Sequence, residues 1–193
     1  MPNVLRTLTA KPNLPWILSV AAAVLMTVSL HLQGRVWWCK LGDYSPWVSD
    51  AWSTHTSQHL LDPYAFTHVL HGMALFWILE FIAPKMQNSW RFLLAVVAEG
   101  AWEIVENSDW IINKYRENTA SLDYFGDSAL NSLGDLLACA LGFWVAVRLG
   151  WLRSVVIFLL IEAILLIWIR DSLLLNILML IYPIDAVKQW QVS

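Results

Sequence analysis

The sequence predicts an all-α fold, a polytopic transmembrane bundle of about five spans, and three observations predict it. Hydrophobic residues make up 58% of the 193 positions and charged residues only 14%, where a soluble domain carries roughly 25% charged residues. Several apolar runs are long enough to cross about 30 Å of hydrocarbon, and the mean hydropathy is +0.54. The chain has 13 Trp. Many of them (Trp16, Trp37, Trp38, Trp47, Trp52, Trp90, Trp110, Trp151) stand at the ends of apolar runs, where indole rings favour the headgroup level.

The elements follow in order within one integral membrane domain, 1–193, with no internal repeat and no low-complexity linker. Met1 to Pro15 carries Arg6 and Lys11 and precedes an apolar run, 16–32, longer than a signal-peptide core, so a retained signal anchor is expected as the first span. A polar and Trp-rich loop, Gly34 to Pro63, is expected to lie on the membrane surface. The second span, 64–83, stops at Pro84, which cannot continue a helix. The third is 90–112, the fourth 128–149, and the fifth, 155–169, is apolar except for Glu162. The run 173–182 is too short for a full crossing and is either a surface helix or a short sixth span stopped by Pro183.

Orientation follows from basic residues. With the N-terminus in the cytoplasm, the inner segments hold Arg6, Lys11, Lys85, Arg91, Arg148 and Arg153. Arg35, Lys40, Lys114, Arg116 and Arg170 are spread over longer outer segments. A net charge of −3 and the absence of a basic run point away from nucleic acid and leave membrane lipid as the expected partner. The two cysteines, Cys39 in the loop and Cys139 in an apolar run, are not expected to pair and form no Cys-based metal motif.

Ionisable groups inside apolar spans are expensive, roughly 2.5–3.5 kcal/mol each on insertion scales. Here they are arranged. The third span places Glu99, Glu103 and Glu106 on one helical face, the fourth does the same with Asp127, Asn131 and Asp135, and the second with His68 and His71. Counted inward from the outer side, His68, Glu106 and Asn131 form one layer. His71, Glu103 and Asp135 form another, about 5 Å deeper at about 1.5 Å rise per residue.

No Lys or Arg in these spans neutralises the acids. Such carboxylates must share protons, pair with protonated His, or bind a cation. Of the nearest basic residues, Lys114 and Arg116, the guanidinium of Arg116 has the better fork for a carboxylate. The candidate catalytic residues are therefore Glu103, Glu106, Asp127, Asn131, Asp135 and Arg116. The candidate ligands for a divalent metal ion are His68, His71, Glu103 and Asp135, a set that suits zinc, iron or manganese. His59 and Asp62 of the outer loop would cover the cluster and Glu99 would support it from below. Ser57, His59 and Asp62 have the composition of a hydrolase triad, but order in sequence does not establish geometry. The competing reading is a hydrogen-bonded network that only braces the bundle. Glu80 and Glu162, alone on their spans, are expected to serve helix packing or to snorkel.

The stretches GRVWWCKLGDYSPW, TSQHLLDPYAFTHVLHG, EGAWEIVENS and KYRENTASLDYFGDSALNSLGD resemble an uncharacterised proteobacterial family of small multi-pass inner-membrane proteins, over about 34–142. That resemblance implies the bacterial inner (plasma) membrane and supplies no activity. More distantly, the chain resembles the VanZ-like superfamily of four-helix membrane proteins linked to glycopeptide resistance. His68 or His71, Glu103 with Glu106, Arg116, and Asp127 with Asn131 and Gly134 occupy the positions of its pattern. Glu106 departs from it, standing where Gln is usual, and the fifth span is extra. The resemblance implies a VanZ-like core of four helices. Three functions remain open: an enzyme acting on an envelope lipid or lipid-linked group, a proton- or cation-linked binder or transporter, and a structural or accessory subunit.

Overall fold

A computed structural model describes residues 13–119 and 124–192, so Arg6, Lys11 and the leader before Asn13 lie outside the described residues. Helix α1 (Leu14–Leu32) starts with Pro15 in its first turn, where a missing N–H costs nothing. Helix α2 (Ala65–Ile82) ends at Ala83, just before Pro84. Helix α3 (Asn88–Glu106) follows a short connection. These three helices lie where the first, second and third spans were expected, except that α3 stops early. Ser108 turns extended, accepts a hydrogen bond from the Ile111 N–H and caps a separate helix, α4 (Asp109–Asn118). The expected third span of 90–112 is thereby corrected: a Ser that can cap competes with helix continuation.

Ser128 likewise caps α5 (Ala129–Trp168), which holds Gly150 at φ 72° and ψ 177°. That left-handed, glycine-favoured geometry separates the two segments read from sequence as spans four and five. Helix α6 (Leu173–Ile181), capped by Ser172, matches the expected short element. A final helix, α7 (Asp185–Val192), was not expected. By length and composition α1, α2 and α5 can cross a membrane, with mean hydropathies of 1.8, 1.5 and 2.2. The outward faces of α1 (Ile17, Val20, Val24, Leu25, Val28) and of the second half of α5 (Leu152, Val156, Leu159, Leu160, Ile164) are exposed and apolar.

Helix α2 packs chiefly on α5, and α1 on α3. The α2–α5 crossing is a reciprocal glycine contact. A Cβ on Gly72 would collide with the Cys139 carbonyl, and one on Gly142 with the Val69 carbonyl. Close backbone approach of this kind is typical of apolar helices that pack in lipid, where the hydrophobic driving force between them is absent. Beside it Phe143 is fully buried, its ring 5.7 Å from Phe76 and 5.6 Å from Phe92.

At one end of the bundle, buried Arg91 donates to Glu80 and to the carbonyls of Ala83 (3.1 Å) and Pro84 (2.6 Å). Glu80 is therefore an ion-paired residue, not a lone acid. Glu162, on α5, packs against the start of α6, its carboxylate oxygens each 3.4 Å from the Leu174 nitrogen, where a helix N-terminus favours negative charge. At the other end, the loop before α2 lies across α5. Ser128, Ala129 and Leu130 donate their N–H groups to the carbonyls of Ser57, Val36 and Trp37, at 2.8, 2.7 and 3.3 Å. The loop satisfies donors that a helix start leaves open.

Candidate functional site

The start of α2, the end of α3 and the start of α5 meet beneath this loop. Counted from the observed helix ends, His68 lies three residues into α2, Glu103 three from the end of α3 and Asn131 two into α5. His71 and Asp135 lie six in, and Glu99 seven. The early stop of α3 shifts its face by one turn relative to the expected layers. Glu99, expected to support the cluster from below, is instead its centre. Its Oε1 is 2.6 Å from His68 Nδ1 and 3.0 Å from His71 Nδ1.

His68 then reaches the other two helices. Its Nδ1 is 3.4 Å from Glu103 Oε1 and its Nε2 is 4.0 Å from Asp135 Oδ2. Glu103 is fully buried. Among the described residues, neither of its oxygens accepts a hydrogen bond, nor does Asp135 Oδ1 or Glu106 Oε2. Orphaned buried acceptors facing one another call for protons or a cation.

A cavity of about 240 Å³ opens against this cluster, lined by His68, His71, Glu106, Asp127 and Asp135. Residues 51–54, 56 and 57 of the loop cover it, and Trp102, Leu173, Ile177 and Leu180 give it an apolar wall. Tyr115 donates to Glu106 at 2.7 Å and Tyr124 to Asp127 at 2.9 Å. Asn107 and Asp127 exchange two bonds, Nδ2 to Oδ2 at 2.8 Å and the Asp127 N–H to Oδ1 at 2.7 Å. Burial raises the Asp127 pKa, though the hydrogen bonds from Asn107, Tyr124 and Ser57 oppose the shift. Burial and then the nearby carboxylates push both phenols well up, so they stay protonated donors.

Residues 30–193 match the family described as "Protein of unknown function (DUF2585)". The chain belongs to this family. It is 42% identical over 188 residues to a UPF0314 protein of Paracoccus denitrificans, covering 97% of each chain. It is 44% identical over 177 residues to one of Rhizobium meliloti, covering 91% of this chain and 90% of the relative. With one of Sphingopyxis alaskensis the figures are 39% over 176 residues, 91% and 94%. No solved structure matches the chain.

The DUF2585 match takes in every candidate site residue, but the structure does not bring all of them together. His68, His71, Glu99, Glu103, Glu106, Asp127 and Asp135 converge. Asn131 is buried beside them, yet its Nδ2 donates to the His59 carbonyl at 2.8 Å and so holds the loop. Arg116 is exposed and donates to the Tyr124 carbonyl at 2.5 Å, so the expected counter-charge does not fold onto the acids. His59 faces away, with Nδ1 2.5 Å from the Ser45 carbonyl. Asp62 accepts from the N–H groups of Ser57 and Tyr64, both at 2.7 Å, which makes it a loop cap and not a triad member. Burial raises its pKa against those two bonds. Tyr115, Tyr124 and Asn107 were missed, because the break after α3 that brings them in carries only the weak signal Asn-Ser.

Two nitrogens and a carboxylate oxygen from His68, His71 and Glu99 lie within 4.8 Å of one another, as do donors of His68, Glu103 and Asp135. Both sets suit a divalent ion of the zinc, iron or manganese kind. The DUF2585 pocket can thus hold a cation, move a proton, or do both.

Proposed function

We propose that the chain is a multi-pass protein of the bacterial inner membrane with its N-terminus in the cytoplasm. In this reading α1, α2, α3 and the two halves of α5 cross the bilayer, with a VanZ-like core of four helices, and the pocket faces outward. Its function is to act on the polar group of an envelope lipid or lipid-linked molecule. The observation that carries the proposal is one cavity that combines His68, His71, Glu106, Asp127 and Asp135 with an apolar wall of Leu173, Ile177 and Leu180. A headgroup meets the acids while its chain meets the wall.

The chemistry follows from the residues. Glu99 holds both imidazoles by Nδ1, which leaves the other nitrogen of His71 to take a proton from an attacking water or hydroxyl. The attacking oxygen forms the new bond as the bond to the departing oxygen breaks, Glu106 or Asp135 gives that oxygen a proton, and Glu103, 3.4 Å from His68 Nδ1, relays protons within the cluster. Where His68, His71 and Glu99 hold a divalent ion instead, His71 would be a ligand and not the base, and the ion would activate the attacking water and polarise the reacting carbonyl or phosphoryl oxygen. Transport would need acids continuing to the opposite end, where Glu80 is already engaged by Arg91.

Elemental analysis of purified protein tests the metal part. Wild type should carry an equivalent of metal that the double variant His68→Ala, His71→Ala loses. The same metal content in both proteins would leave His68 and His71 without a ligand role.

A further inference from the structure

Away from the pocket, the outer loop folds a second set of metal-binding side chains together. Cys39 Sγ is 3.5 Å from His55 Nδ1, and His55 Nδ1 is 3.1 Å from His59 Nε2. All three donors lie within 4.8 Å of one another. Asp43 Oδ2 stands 3.9 Å from His55 Nδ1 and 4.0 Å from His59 Nε2. We infer that Cys39, His55 and His59 form a second metal site, for zinc or an ion of its class, which clips the outer loop into a lid.

Geometry is the first ground. Bonds of about 2.3 Å to sulfur and about 2.0–2.1 Å to nitrogen, at tetrahedral angles, put sulfur and nitrogen about 3.6 Å apart and two nitrogens about 3.3 Å apart. The observed separations of 3.5 and 3.1 Å are close to those edges.

The second ground is the state of His59. Its Nδ1 faces the Ser45 carbonyl at 2.5 Å, a contact that places the proton on Nδ1 and leaves the Nε2 lone pair for a ligand. Outer partners of this kind orient metal-binding imidazoles. Burial is the third ground: Cys39 and His59 are buried, while the side chains of His55 and Asp43 are 32% and 47% exposed and give an ion a way in. A thiolate and the Asp43 carboxylate would balance the charge of a divalent ion.

The consequence falls on the pocket. Between Asp43 and His59 run residues 51–57, most of which cover the cavity, and the segment has little regular structure beyond an isolated bridge of Trp47 with Leu61. The His59 carbonyl also accepts from Asn131 of α5. A metal clip therefore closes a long loop and holds it against the helix that carries Asp135. This site does not depend on the pocket's own chemistry.

Cobalt(II) titration of the full-length Cys139→Ala protein in detergent tests it, because Cys39 is then its one thiol. Near-ultraviolet thiolate-to-cobalt absorption should grow to saturation as cobalt is added and be displaced by zinc. His55→Ala, a change at a partly exposed residue, should weaken binding by about tenfold or more, and Cys39→Ser should remove the absorption. His68→Ala, His71→Ala should leave it intact, which separates this site from the pocket. A folded Cys139→Ala protein without the absorption, or one whose absorption survives Cys39→Ser, would overturn the assignment.

Discussion

His68 and Glu99 join α2 to α3 through 2.6 Å between Nδ1 and Oε1. The same oxygen is 3.0 Å from Nδ1 of His71, so a single carboxylate gathers both imidazoles of the His-x-x-His pair. Glu103 approaches the same nitrogen of His68 at 3.4 Å, and Asp135 faces its Nε2 at 4.0 Å.

Glu99→Gln should for that reason be the most damaging single carboxylate change for the metal. Gln keeps the volume but loses the charge and offers donors where an acceptor is needed. Metal affinity, read by competition with a chromogenic chelator, should fall about 10- to 100-fold. Glu106→Gln, whose partner is Tyr115, should change it much less. Equal affinities in the two variants would remove Glu99 from the centre.

The clustering of acids with the His pair was legible in sequence because spacings of three and four residues fix a helical face regardless of context. Their register was not. It depends on where α3 ends, and Asn107-Ser108 ends it before the apolar pattern does. Helix α4 and Tyr115 follow from that break. The fate of Arg116 was equally hidden, since a loop side chain chooses between a carboxylate and a backbone carbonyl only in three dimensions. Cys39, His55 and His59 sit at irregular spacings in a loop, which no periodicity can bring together. The glycines at the α2–α5 crossing show only as Gly within apolar runs, and sequence alone does not say what approaches them.

The proposed orientation, with the N-terminus inside, puts the loop that carries Tyr44 on the outer side of the membrane. Tyr44 is 84% exposed. A Tyr44→Cys variant in a Cys39→Ala, Cys139→Ala background should react with a membrane-impermeant maleimide in intact cells. Reaction only after permeabilisation would invert the orientation and the facing of the pocket.

Asp171 supplies a pH test outside the spans. Burial raises its pKa from 3.8 to about 6, against hydrogen bonds from Ser172, Asn176 and Tyr64, with Glu162 adding repulsion. Between 3.8 and about 6 the folded state keeps a proton that the unfolded chain releases. Its contribution to stability is thus present at low pH and lost as pH rises through that window. Thermal melts in detergent should show Asp171→Asn less dependent on pH than wild type across this range. Parallel pH profiles would contradict the assignment.

The central claim is that the pocket acts on an envelope lipid, and Glu103→Gln tests it most directly. Glu103 is fully buried, so Gln preserves shape while removing the carboxyl that can take up or release a proton. The measurement is mass spectrometry of envelope lipids from cells lacking the chain, complemented with wild type or with Glu103→Gln at equal membrane levels. The account predicts a lipid species that accumulates without the chain, returns to normal with wild type and stays accumulated with Glu103→Gln. Full restoration by Glu103→Gln, or an envelope unchanged by loss of the chain, would contradict it.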